Sequence, residues 1–235
     1  LKIGVIIPKE PVVVQKYLRY GIEKAMKEYA EFNVEFIIRE FDLTKENDSE
    51  ENQIKNIKDS IDALIIESYS TKNNKIQFLT DLEKKIPVIS LGTKLDYINT
   101  VYDVLVNTKV VGNIAAELLS IFMKKGNNVS IITGVKEMKI HKENVEGFLT
   151  AAKDYDLKLN GIYETNDTMK SAYEATEKII NEKTQTNGIF ITSYSAPAVC
   201  RCLTDHGLEK QIAVVGVDVY DESVKYFEKD RKSVV

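Results

Sequence analysis

An α/β fold made of two doubly wound parallel-sheet lobes joined by a hinge is the architecture this sequence predicts, and three observations carry it. Short apolar runs alternate with amphipathic helical patterns from end to end, the rhythm of strands and crossover helices. With 235 residues, 43% of them hydrophobic, the chain can bury one large core or two lobes of about 100 residues each. Near residues 92–112 the rhythm loosens, with no clear helix between two strands, as at a crossing between lobes.

Lys2 to Pro8 reads as a buried strand, and Val13 to Tyr29 as a helix with Tyr17, Ile22, Ala25, Met26 and Tyr29 at near-helical spacing. VEFIIREF (34–41) is the second strand, ENQIKNIKD (51–59) a polar helix, DALIIES (62–68) a buried strand, KIQFLTDLEKK (75–85) a helix, and PVISLG (87–92) a strand. YDVLVN (102–107) follows the loosened stretch. A second series runs helix 110–124, strand 128–134, helix 144–155, strand 157–163, helix 170–181, strand 188–193, helix 198–206, strand 212–218 and helix 222–229. The closing KSVV reads as the first half of a strand. Residues 1–105 are therefore expected as an N-terminal lobe completed by a further C-terminal segment, and 106–235 as a C-terminal ligand-binding lobe. The chain opens on Leu1, which fits an excised piece or a processed mature form.

Composition removes several functions. Thirty-two basic against 36 acidic residues give a net charge of −4 with the basic residues scattered, so no electrostatic footprint for nucleic acid is present. No apolar run reaches the roughly 18 residues of a membrane span. No GxGxxG or GxxxxGK[ST] follows the first strand, where IIPKEPVVV stands instead, so neither a dinucleotide nor another cofactor is expected. There is no GxSxG elbow, and His141 and His206 stand in unrelated segments without metal-ligand spacing, so no catalytic residue and no metal site is assigned. Cys200 and Cys202, two apart on a helix, point to different faces and read as free buried thiols.

In open α/β sheets, ligands bind beyond the carboxyl ends of the strands. The residues just after the strands are therefore the candidates: Lys9 and Glu10, Tyr69 within Ser68–Ser70, Asn107, His141 and Asn144, Ser193 and Tyr194, and Asp218. Most are uncharged hydrogen-bonders or aromatic, a set suited to a neutral polar ligand. Several also have a plain structural role open to them: Lys9 and Glu10 as a solvated turn, His141 as a solvated loop residue, and Asn144 as the cap of a helix opening there. Asp218 reads equally as a polar turn with Asp221 capping the next helix, and His206 before Gly207 as a helix C-terminus.

Taken in order, IGVIIP with GIEKAM, IDALIIES with KKIPVISLGT, VNTKVVGNIAAELL, IITG with HKENVEGF, GIFITSYSAPAV and AVVGVD resemble the type I periplasmic-binding-protein fold over all 235 residues, as found in LacI-type transcription regulators and sugar-binding proteins of ABC transporters. The resemblance implies an arginine at the position of Asn144, an aspartate at that of Asn107 and an Asn-Asp pair at that of Ser193-Tyr194; this chain departs at all of them. Asp218 matches the family's aspartate. Loss of both an arginine and an aspartate keeps the pocket balanced while changing the hydroxyl pattern it reads.

The expectation that follows is the effector-binding core of a cytoplasmic LacI-type regulator, with a carbohydrate-like small molecule as effector. Operator DNA would be reached through an N-terminal helix-turn-helix outside this chain. The two free cysteines and the aromatic first helix, offering Tyr17 and Tyr20 to a second copy in a homodimer, favour it. The alternative is a periplasmic or lipoprotein sugar receptor of an ABC transporter. Neither reading calls for an enzyme or a membrane span.

Overall fold

The computed structural model describes residues 1–9, 12–42, 48–68, 76–123, 125–228 and 233–234, and its contacts divide the chain into two compact units, Leu1–Val106 and Asn107–Val235. The predicted class is the one observed, α/β with two wholly parallel sheets.

The first unit holds β1 (Lys2–Pro8), α1 (Val12–Glu28), β2 (Glu35–Phe41), α2 (Glu50–Ile57), β3 (Ala63–Glu67), α3 (Leu79–Leu82), β4 (Val88–Gly92) and β5 (Tyr102–Leu105), with sheet order β2-β1-β3-β4-β5. Strand β1 is paired on both sides, Val5 opposite Ile38 and Ile65, which is why its middle, Val5 to Ile7, is apolar and fully buried. One core gathers Ile6, Leu64, Ile66 and Val88 from the sheet with Ile54 and Ile57 of α2 and Leu79 of α3.

Two stretches here differ from what the sequence indicates, one helix being shorter and the expected inter-lobe crossing near 92–101 lying within the first unit. The helix expected over 75–85 is a single turn, because Ile76, Leu79 and Leu82 recur every three residues and the flanking backbone bonds are of the tighter i→i+3 kind, Leu79 to Ile76 and Asp81 to Phe78. The loosened stretch 93–101 is an in-sheet crossover from β4 to its neighbour β5. It covers the sheet with buried Leu95 and Ile98 in place of a helix.

The second unit holds α4 (Thr108–Phe122), β6 (Asn128–Thr133), α5 (Lys139–Ala151), β7 (Lys158–Glu164), α6 (Met169–Ile180), β8 (Gly188–Ile191), α7 (Ala196–Asp205), β9 (Ala213–Gly216), α8 (Asp221–Glu228) and β10 (Ser233–Val234), with sheet order β10-β9-β8-β6-β7. Strand residues alternate between two cores. Val129, Ile131 and Phe190 meet α4 and α5, while Ile132, Ile189 and Ile191 meet α6 and α7. Phe148 of α5 stacks on Phe190 of β8 at 5.0 Å between centroids.

Helices α4 and α5 touch backbone to backbone, at Gly112 and Gly147. A Cβ on Gly112 would lie 2.6 Å from the Phe148 nitrogen and closer still to the Asn144 carbonyl oxygen, while one on Gly147 would strike the Lys109 carbonyl. Only glycine fits either place. The ends of α7 are equally explicit: Pro197 sits in its first turn, and His206 closes it with Nδ1 2.9 Å from the Cys202 carbonyl, ahead of Gly207 at φ +67°. Cys200 and Cys202 are buried on this helix as thiols, not joined in a disulfide.

Asp221 is the first residue of α8 and not its cap. The cap is built by Ser223, whose hydroxyl accepts the Tyr220 backbone N–H at 2.9 Å. Among the described residues no helix is long and apolar enough to cross a membrane.

Candidate functional site

At the carboxyl edge of the first sheet, Lys9 follows β1. Its backbone N–H donates to the Phe41 carbonyl at 2.9 Å, and its ammonium is paired with the Asp48 carboxylate. Gln53 donates to the other Asp48 oxygen at 2.7 Å. The hydrogen bond to Asp48 raises the Lys9 pKa, and the same bond, helped by Gln53, lowers that of Asp48. Lys9 is thus an intramolecular staple onto the segment that leads into α2. Glu10 and Tyr69 lie outside the described residues.

Two residues that sequence reasoning passed over stand at the same edge. Glu67 ends β3, and Gln15 of α1, 1% exposed, donates its Nε2 to Glu67 Oε2 at 3.2 Å. The Gln15 Oε1 is buried and has no hydrogen-bond partner among the described residues. Burial raises the Glu67 pKa, and the Gln15 bond offsets this only in part; no described cation reaches the carboxylate.

In the second unit the loops after β6, β7 and β8 converge on one polar cluster. His141 is in the first turn of α5 and buried, where a solvated loop was the plain alternative. Its Nδ1 lies 2.9 Å from Thr192 Oγ1 and 3.1 Å from the Thr192 carbonyl, and its Nε2 is 3.4 Å from the Asp167 carboxylate. Val135 donates its backbone N–H to Asp167, and the Tyr194 hydroxyl donates to the Asp167 carbonyl. Gly134 makes the imidazole–carboxylate approach possible: a Cβ there would lie 2.6 Å from one Asp167 oxygen and nearer to the other and to His141 Nε2. Ser193 and Ser195 share a hydrogen bond, Oγ to Oγ, of 2.7 Å beside this cluster.

The remaining candidates do other work. Asn144 does not open a helix: α5 starts at Lys139, and Asn144 is fully buried within it, donating Nδ2 to the Ile140 carbonyl at 2.9 Å while its Oδ1 has no partner. The early start was hidden because Met138, which precedes the helix, has no capping side chain and because His141 and Asn144 occupy the buried face. Asn107 is an exposed cap, accepting the Val110 N–H at 3.3 Å to start α4. Asp218 follows β9, its Oδ2 accepting from the Tyr220 hydroxyl at 2.8 Å. The residue reaches solvent, yet the protein around its carboxyl raises the pKa, and the Tyr220 bond pulls it back part of the way.

The structure therefore brings His141 and Tyr194 together through Asp167, with Ser193 alongside, and commits Lys9, Asn107 and Asn144 to structural bonds. Asp167 had a legible signal, since it stands in the loop after the strand LKLNGIY. Gln15 and Glu67 had none. Among the described residues no group of three or more His, Cys, Asp or Glu side chains is placed to hold a metal ion.

The periplasmic binding protein domain family matches residues 3–233. The chain belongs to that family. It is a binding domain and not an enzyme. No curated protein matches the sequence. Solved structures of periplasmic-binding type share the fold at low identity. One is an ABC transporter periplasmic solute binding protein from Actinobacillus succinogenes 130z with bound D-allose, with a TM-score of 0.84 at 20% identity over 98% of this chain and 82% of that one. Another is a carbohydrate transporter solute binding protein from Agrobacterium radiobacter in complex with D-arabinose (TM-score 0.85, 18% identity, 100% and 80% covered). A third is an ABC transporter solute binding protein from Bacillus halodurans C-125 with bound myo-inositol (TM-score 0.83, 17% identity, 98% and 80% covered).

Proposed function

We propose that this chain is the sugar-binding domain of a solute receptor serving an ABC transporter. The observation that carries the reading is that all three fold relatives named above, similar over nearly the whole chain, hold a monosaccharide or a cyclitol. The residues at the carboxyl edges of the two sheets support it: hydroxyls (Ser193, Tyr194), a tethered imidazole (His141) and carboxylates (Glu67, Asp218) suit a polyhydroxylated ligand. Titration calorimetry against a panel of pentoses, hexoses and inositols tests the reading. Saturable binding of at least one panel member is expected, and a panel without binding overturns it.

The reading as the effector core of a dimeric LacI-type regulator keeps one supporting observation, the exposure of Tyr17 and Tyr20 on α1. Sedimentation separates the two: a dimer that dissociates when Tyr17 and Tyr20 are changed to serine favours the regulator, and a monomer the receptor.

A further inference from the structure

We infer that Gln15 and Glu67 form a donor-reading subsite at the carboxyl edge of the first sheet, and that the group it takes is a protonated amine on a polyhydroxylated ring, as in an amino sugar. This rests on the sugar-binding reading and narrows it.

The argument starts from what is left unpaired. Glu67 ends β3 half-buried, desolvated enough to raise its pKa, with no described cation in reach. A partly desolvated carboxylate without a cation is costly, and the group that relieves it carries positive charge and hydrogen-bond donors. The nearest strand in the sheet, β1, is followed by Lys9, but that ammonium is committed to Asp48. Gln15 supplies one donor to Glu67 and keeps a second acceptor, Oε1, buried and unpartnered beside it. Buried polar atoms without partners are rare, and each calls for a physical reason.

Ligand valence decides between the donors on offer. A sugar hydroxyl carries one hydrogen and can satisfy either the carboxylate or the amide oxygen. An ammonium carries three and can satisfy both at once. The terminal torsion of a glutamine is soft, so the amide can swing Oε1 toward a donor docked on the carboxylate. A uronate brings a second negative charge to Glu67 and is repelled.

Calorimetry on the chain as it stands, at neutral pH, compares D-glucosamine and D-galactosamine with D-glucose, D-galactose and D-glucuronate. The amino sugars are expected to bind about tenfold or more tightly than their neutral parents. Glu67→Gln should abolish the amine preference, because the shape is kept and the charge removed. Gln15→Met gives a second route to the same answer if Glu67→Gln does not fold. Equal affinity for amino and neutral sugars, tighter binding of the uronate, or an amine preference that survives these substitutions overturns the subsite and leaves the sugar-binding reading standing. Failure of every sugar to bind overturns both.

Discussion

Gly112 and Gly147 face each other's helices as reciprocal clearances: each lets the partner helix bring a carbonyl where a methyl group would otherwise stand, Asn144 over one and Lys109 over the other. Gly112→Ala and Gly147→Ala should each destabilise the second unit by about 1–3 kcal/mol, the usual cost of overpacking, despite alanine's better helix propensity. Urea unfolding followed by circular dichroism checks this, with a lowered midpoint at unchanged slope as the expected result.

The Asn144 side chain is fully buried with an unpartnered Oδ1. Asn144→Leu removes that orphan while keeping the branching at Cγ and should be neutral or stabilising by about 1 kcal/mol. Asn144→Arg, which restores the residue common in the family, should be strongly destabilising, since the guanidinium has no route out of the helix contact. Thermal denaturation of the two variants distinguishes the outcomes.

His141 and Asp167 are coupled through an imidazole–carboxylate contact of 3.4 Å. A double-mutant cycle of His141→Gln and Asp167→Asn should return a coupling energy of about 0.5–3 kcal/mol in unfolding experiments. Gly134→Ala, which pushes the same two groups apart, should reproduce most of the loss alone.

Glu67 gives stability an acid-side slope. Its pKa is raised in the fold above the ordinary 4.5, so over the window from 4.5 up to the folded value the native state holds more protons than the unfolded chain. Stability therefore falls as pH rises through that window and stays lowered above it. Glu67→Gln should flatten this segment of the curve and raise the neutral-pH melting temperature. Asp48 has the opposite sign: its pKa is lowered, so its contribution is present above 3.8 and lost as pH falls through the folded value. Asp48→Asn should separate from the parent at neutral pH and converge with it in acid.

Asp218 is the one charged residue that matches the family pattern and still stands free of a cation among the described residues. Asp218→Ala should weaken sugar binding about tenfold or more, the worth of a charge-assisted hydrogen bond. Asp218→Asn should keep the Tyr220 contact and lose less. Calorimetry with a panel sugar that binds the parent reads both.

Much of the fold was legible because buried parallel strands and amphipathic helices write themselves as apolar runs and 3.6-residue periods, and the ten strands among the described residues fall within or beside the apolar runs that announce them. The helices capped by Ser49, Asn107 and Thr168 begin within two residues of where the sequence places them, whereas Met138 offers no capping side chain and the start of α5 was misplaced by five residues. The site was less legible for a related reason. His141 and Tyr194 act through Asp167, and Gln15 acts through Glu67, and such pairings depend on which loops the sheet order makes neighbours rather than on spacing along the chain.

The two sheets are wound alike. In each, the earliest strand lies between the second and the third, and the fourth and fifth are then laid outward in turn, β2-β1-β3-β4-β5 in one and β7-β6-β8-β9-β10 in the other. Every strand after the first therefore meets a free edge already exposed by residues that left the ribosome before it, and no strand must be threaded into a closed sheet. Each half can thus assemble vectorially during synthesis, and the first is able to close its five strands by Leu105, before the second has begun.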